Sequence, residues 1–273
     1  MTHPATSQFT DTDRHDLIAV AHRLADAARS ETLTHFRSPD LADENKRPED
    51  YDPVTEADRG AERAMRGILA EMRPQDGILG EEYGTEAGHS GLTWVLDPVD
   101  GTRGFVAGTP TWGVLIALCD ATGPLYGIVD QPYIGERFEG GFGLARMSGP
   151  LGQKALSARK GRALDEAVLF TTFPEVGTRA EQRAFQAVAE QVRLTRYGMD
   201  CYAYALLAAG HADLVIEAGL AAYDICAPIA VIEAAGGIVT NWDGGPVHEG
   251  GRAVAAASAE LHDQALQILA SAS

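Results

Sequence analysis

An apolar run, Trp94-Val95-Leu96, breaks off into Asp97-Pro98-Val99-Asp100-Gly101-Thr102, which crowds two carboxylates, a proline, a glycine and a hydroxyl together. Polar groups at the end of a strand that reads as buried suggest a site. Pro98 fixes its own φ and restricts Asp97, so Asp97 and Asp100 can project toward one point while the Val99 carbonyl is left free. Gly101 lets the backbone approach a ligand closely, and its amide with that of Thr102 can hold an anion. The competing reading is a strand-to-turn junction that uses Asp, Pro and Gly only as turn formers.

Further acidic residues weigh against that reading. Glu81 and Glu82 follow a second short apolar run, Ile78-Leu79; one of them need point inward, although adjacent glutamates also make a solvated turn. Asp224 opens a helix expected over 225–235, where it is either an N-cap or a metal ligand. Thr55 and Asp58 stand three apart at another helix start, like a capping box with Asp in place of Glu, and capping is the reading Thr55 favours by itself. If Glu81, Asp97, Asp100 and Asp224 converge, their charges raise one another's pKa values unless cations neutralise them. Oxygen ligands without a His or Cys cluster point to magnesium or manganese rather than zinc. Two such ions suit phosphoryl transfer to water, one acidifying the attacking water and both clamping the oxygens of an in-line displacement. They also explain how an acidic protein binds an anion.

The elements that must position these groups are partly visible. Leu17, Val20, Ala21, Leu24 and Ala28 recur at helical spacing and predict an amphipathic helix over 13–36. A polar loop follows; the charged segment over 35–51 is expected to be mobile and to cover the site. Ala61, Met65, Ile68, Leu69 and Met72 predict a second helix, stopped by Pro74 and Gly77. Apolar runs at 78–79, 94–96, 113–118 and 125–129 predict strands that succeed one another without helices, hence antiparallel pairing. Beyond a Gly/Pro-rich stretch over 140–152 the rhythm alternates: strands over 167–173, 194–197, 213–217 and 238–242, helices over 180–192, 202–209 and 225–235. Alternation of this kind marks a layered α/β unit. A boundary is therefore expected near Gly149, between an N-terminal α+β domain over 1–149 with most metal ligands and a C-terminal α/β domain over 150–273 with the substrate-side residues.

The bulk numbers narrow the function classes. A chain of 273 residues can bury one sizeable core or two modest ones, and 45% hydrophobic with 22% charged residues is a globular balance. A formal charge of -17 repels nucleic acid and anionic lipid, so neither is expected as a partner. The first sixteen residues carry no apolar run, which predicts neither a signal peptide nor a membrane span and makes the cytoplasm the expected compartment. Cys119, Cys201 and Cys226 lack metal-ligand spacing and read as reduced, packed thiols.

Asp52-Pro53-Val54-Thr55-Glu56-Ala57-Asp58, Gly80-Glu81-Glu82, Asp97 to Thr102, and Tyr223-Asp224 with Ala234-Ala235-Gly236-Gly237 resemble, in order and spacing, the signatures of the inositol monophosphatase family. The resemblance implies an α/β fold, a layered α/β/α/β/α sandwich of the inositol monophosphatase / fructose bisphosphatase type. It also implies a homodimer, two or three Mg2+ ions with Mn2+ as a substitute, lithium inhibition, and hydrolysis of a small-molecule phosphate ester. Residue by residue, Glu81, Asp97, the Val99 carbonyl, Asp100 and Asp224 match the metal ligands. Asp58 and Thr102 match the pair that orients and deprotonates the attacking water. Gly101 and Thr102 match the phosphate-binding amides, and Glu217 a contact to the substrate's organic part.

The continuation Arg103-Gly104-Phe105, Asp130 to Arg137, and Gly198-Met199-Asp200-Cys201-Tyr202-Ala203-Tyr204 look like the histidinol-phosphate phosphatase branch. Extra carboxylates at Asp200 and Glu217 would favour its amine-bearing substrate over a neutral polyol. Asp200 has an equal alternative as a helix cap, and Arg103 and Arg196 are either phosphate or ligand contacts or solvated charges. Inositol phosphates, a sugar bisphosphate or a nucleotide 3'-phosphate are the alternative substrates. A catalytically silent metal-binding module is the alternative of another class.

Overall fold

Along the strands Thr93–Asp100 and Gly113–Asp120, side chains alternate between two hydrophobic cores. Trp94, Leu96, Val114, Ile116 and Leu118 enter one core; Val95, Leu115 and Ala117 enter the other. A sheet with apolar residues on both faces must be covered on both, and that requirement makes the molecule layered.

The structure, a computed structural model, describes residues 9–45 and 53–272. In chain order it runs α1 (Asp11–His35), β1 (Asp43–Asn45), β2 (Pro53–Thr55), α2 (Glu56–Met72), β3 (Gly77–Gly80), β4 (Gly84–Glu86), β5 (Thr93–Asp100) and a short α3 (Thr102–Val106). Strands β6 (Gly113–Asp120), β7 (Gly123–Gln131), β8 (Glu136–Gly141), β9 (Leu144–Gly149) and β10 (Gly152–Ala155) complete one sheet. Then come β11 (Val168–Thr171), α4 (Arg179–Ala189), β12 (Leu194–Tyr197), α5 (Asp200–Ala208), β13 (Leu214–Leu220), α6 (Ala222–Ala234), β14 (Ile238–Asn241), β15 (Gly251–Ala256) and α7 (Ala259–Ala272).

The larger sheet has the order β10-β9-β8-β7-β6-β5-β3-β4. Its hairpin-linked neighbours are antiparallel as expected, but β3 and β5 are parallel, because β4 and its loop intervene and return the chain in the same direction. The smaller sheet, β12-β11-β13-β15-β14, has three parallel strands joined through α4 and α5, the crossover that parallel pairing requires.

Leu17, Val20, Leu24 and Ala28 of α1, with Ala61, Met65 and Leu69 of α2, cover the outer face of the larger sheet. Arg29 pins α1 to buried Asp130 through bonds of 3.0 and 2.6 Å. Helices α5 and α6 lie between the sheets, with Tyr204, Ala208, Ile225, Ile229 and Ile232 packed against Val95, Leu115, Val215 and Ala255. Phe185 and Val188 of α4 and Leu261, Ala265 and Leu269 of α7 cover the outer face of the smaller sheet. The result is an α/β/α/β/α sandwich.

The Gly/Pro-rich stretch over 140–152 holds the end of β8, all of β9 and the start of β10, so the larger sheet continues past Gly149 to Ala155. Its glycines serve tight turns and close approaches. A Cβ on Gly140 would lie 2.5 Å from the Val231 Cα and 2.6 Å from the Ala230 carbonyl oxygen, so the bare position lets α6 pack directly on the sheet. Of the segment expected to cover the site, residues 46–51 lie outside the described residues, as does Asp52 of the first family motif.

Candidate active site

The two carboxylates of the Asp97-to-Thr102 segment share a face because β5 carries an irregularity there. Asp97 pairs with Leu115 and Asp100 with Gly113, so three steps along β5 match two along β6. In an unbroken strand residues three apart face opposite sides; one extra residue restores them to the same side. Pro98, with no N–H to give the ladder, sits within this interruption. Val99 turns the other way, into a cluster with Phe36, Ala57, Phe105 and Trp112 that anchors the turn from behind.

Asp97 is buried and accepts the Val99 amide at 3.0 Å. Burial pushes its pKa well up, and Glu81, Asp100 and Asp224 push it further. Glu81 reaches it because β3 ends level with β5: Gly80 pairs with Leu96, and the Glu81 amide donates to the Leu96 carbonyl at 3.2 Å. Asp100 is likewise raised by burial, then by Asp200 and Asp224, while the Cys201 amide steadies it at 2.6 Å. That amide arrives through close packing of α5 on β6, where a Cβ on Gly113 would lie 2.7 Å from the Cys201 sulfur.

Asp224 is corrected in one respect. It is the third residue of α6 rather than an N-cap, since the helix starts earlier, at Ala222, and its carboxylate accepts the Ala221 amide at 2.7 Å. Ligand atoms of Asp97, Asp100 and Asp224 all lie within 4.8 Å of one another. These carboxylates, Glu81 beside them and the Val99 carbonyl are hard oxygen donors, and their mutual repulsion is what a divalent cation relieves. The set fits magnesium or a similar ion.

Asp58 serves two ends at once. One oxygen, Oδ2, accepts the Thr55 amide at 2.8 Å and the Thr55 hydroxyl at 2.6 Å, which closes the capping box of α2. The other, Oδ1, lies 3.3 Å from the Thr102 hydroxyl, itself 3.0 Å from the Val99 carbonyl. The cap thus aims the second oxygen at Thr102. Gly101 holds φ +84°, and a Cβ there would meet the Asp200 carboxylate carbon at 2.8 Å, so the turn excludes any side chain.

These groups line one cleft of about 750 Å³. Its lining also includes Asp200, Glu217, Arg103 and Phe173. Asp200 is the first residue of α5, at φ +46°, and its carboxylate accepts the Thr111 hydroxyl at 3.3 Å rather than capping the helix. Burial and neighbouring Glu217 push its pKa up to about 6, against the pull of Thr111 and Arg103. Glu217 is buried, and burial raises its pKa too. The Arg103 guanidinium stacks over the Phe173 ring at 5.0 Å. Arg196 is exposed on the edge strand β12 and does not line the cleft, so the geometry gives no support to its expected ligand contact.

Two cleft residues had no role assigned from the sequence. Thr172 follows β11 and reaches Glu217 through the parallel β11–β13 pairing, which no local pattern announces. Tyr204 stands four residues after Asp200, so the two share a face of α5; that spacing was legible, its meaning was not.

A model of the inositol monophosphatase family matches residues 13–273. The histidinol-phosphatase of Streptomyces coelicolor is 34% identical over 267 residues, covering 94% of this chain and 98% of that protein. The chloroplastic bifunctional phosphatase IMPL2 of Arabidopsis thaliana is 38% identical over 275 residues, covering 96% and 78%. The solved structure of an inositol monophosphatase from Zymomonas mobilis superposes with a TM-score of 0.83 at 40% identity, over 94% of this chain and 98% of that one. With the match running along nearly the whole sequence, the layered fold shared and the carboxylates gathered at the strand ends, the chain belongs to the inositol monophosphatase family.

Proposed function

We propose that this phosphoric monoester hydrolase acts on L-histidinol phosphate, releasing L-histidinol and inorganic phosphate. The observation that carries the substrate is a second carboxylate pair, Asp200 and Glu217, lining the same cleft. Among the described residues Arg103 is the one basic residue lining the cleft, so the carboxylate pair there attracts a cation more than a neutral polyol. The named histidinol-phosphatase among the relatives supports the same substrate.

Glu81, Asp97, the Val99 carbonyl, Asp100 and Asp224 would hold two or three magnesium ions, with manganese as a substitute. When bound, the ions acidify water and neutralise charge on the phosphoryl oxygens. The amides of Gly101 and Thr102 orient the phosphate. Water attacks phosphorus as the ester P–O bond breaks, and the leaving ester oxygen takes a proton from solvent water to become the alcohol hydroxyl. The proton the water loses passes to the Thr102 hydroxyl oxygen, whose own proton moves to Asp58 Oδ1, the Thr55 cap being made by Oδ2. A homodimer belongs to the same reading, and so does a cytoplasmic setting, which the three free buried thiols favour. Among the described residues no helix is long and apolar enough to cross a membrane.

The test is phosphate release from L-histidinol phosphate and myo-inositol 1-phosphate side by side, with magnesium and with chelator. A magnesium-dependent preference for histidinol phosphate supports the proposal. Preference for the inositol ester removes the substrate and leaves the phosphatase; no release from either removes both.

A further inference from the structure

Glu217 is buried and surrounded by donors. Its Oε1 accepts the Thr172 amide at 2.9 Å and the Thr172 hydroxyl at 2.5 Å, and its Oε2 accepts the Tyr204 hydroxyl at 2.9 Å. We infer that Tyr204 and Thr172 are positioning residues for substrate selectivity: they hold Glu217 as an oriented carboxylate with one acceptor direction left open to the cleft. The inference rests on the reading that Glu217 receives a cationic group of the substrate.

The chemistry follows from counting. An ionised carboxylate offers roughly four acceptor directions, and three are taken by groups from the protein. The three donated bonds pull the carboxyl toward its charged form, against burial, which still leaves its pKa raised. Burial and the neighbouring Glu217 charge push the Tyr204 phenol well above its usual range, which keeps it a donor. The clamp is also tied to the metal side. Tyr204 lies on α5 with Asp200, and the next residue of that helix, Cys201, gives its amide to Asp100. One short helix therefore sets both the cation acceptor and a carboxylate of the metal cluster.

The experiment compares kcat/KM for L-histidinol phosphate with kcat/KM for myo-inositol 1-phosphate, with saturating magnesium, in wild-type protein, Tyr204→Phe, Thr172→Val and Thr172→Ser. Losing one hydrogen bond to a charged group lowers the ratio of the two by about tenfold in Tyr204→Phe and Thr172→Val, chiefly through KM for the cationic ester. Thr172→Ser keeps the hydroxyl and keeps the ratio. A merely structural role lowers both esters alike, so variants whose ratio stays within about twofold of wild type overturn the inference while leaving the substrate reading intact. Wild-type protein that shows no preference for the cationic ester overturns both. If Tyr204→Phe fails to fold, the Thr172 pair decides.

Discussion

Asp97 carries a charge that its surroundings oppose. It is 1% exposed and has Glu81, Asp100 and Asp224 around it, and the Val99 amide it accepts does not offset burial and those charges, so its ionised form depends on a cation. Asp97→Asn is expected to lower magnesium-dependent phosphate release by at least about a hundredfold, since several kcal/mol of charge stabilisation depend on the ions. The same change removes one member of a repelling cluster, so the chelated variant should melt above chelated wild type. Phosphate release and thermal melting with chelator check the two halves. Activity within a few-fold of wild type would remove Asp97 from the metal site. Asp58 shows the opposite economy, one residue with two uses: its cap to Thr55 is what leaves the remaining oxygen facing Thr102.

Between elements, the decisive contact is α6 on the larger sheet. Ala227, Ala230 and Val231 press against Gly127 and Gly140, on the same helix that carries Asp224 to Asp97 and Asp100. Gly140→Ala would put a methyl 2.5 Å from the Val231 Cα, backbone that cannot turn aside. We expect a loss of roughly 1–3 kcal/mol from overpacking and a weaker magnesium dependence curve, because α6 and Asp224 move together. Gly67→Ala is the control: it lies in α2 with nothing within 4 Å of its Cβ, and gains about 0.5–1 kcal/mol. Urea unfolding and magnesium titration of both variants test this; equal magnesium half-saturation in Gly140→Ala and wild type would separate α6 from the ion site.

For the molecule as a whole, the excess of buried acid predicts how stability depends on pH. In the folded chain Asp97 and Asp100 are raised well above 3.8, and Asp200 is raised to about 6. A carboxylate whose pKa is higher folded than unfolded contributes stability below its unfolded value and loses it as pH rises through its folded value. Glu139, held down to about 2 despite its burial by His22, Arg146 and Tyr126, changes only at more acid pH. His262, lowered by burial, acts in the other direction below 6.5, one imidazole against at least three carboxylates. Chelated protein should therefore melt higher near pH 5.5 than near pH 7.5, and magnesium should raise the melting temperature most at the higher pH. A chelated melting temperature that rises steadily from acid to neutral pH would contradict the repelling cluster.

What the sequence determined by itself is local chemistry. Residues within one turn of chain announce themselves, so the Asp97-to-Thr102 segment, the Thr55–Asp58 box, α1 and α2 were all legible. Strand β15 and helix α7 went unassigned: Gly251-Arg-Ala-Val-Ala-Ala has the alanines of a helix and becomes a strand only because β13 and β14 flank it. Tertiary structure alone decided the rest. The interruption in β5 that puts Asp97 and Asp100 on one face shows in a register with β6, not in a spacing. Asp224 reaches them across two layers, through a glycine contact between α6 and the sheet. The donors that hold Glu217 come from the end of β11 and the middle of α5, and no short-range rule joins positions so far apart in the chain. Side-chain type is written along the sequence, whereas convergence depends on how whole layers pack, because a carboxylate cluster exists only where separate backbones are driven together.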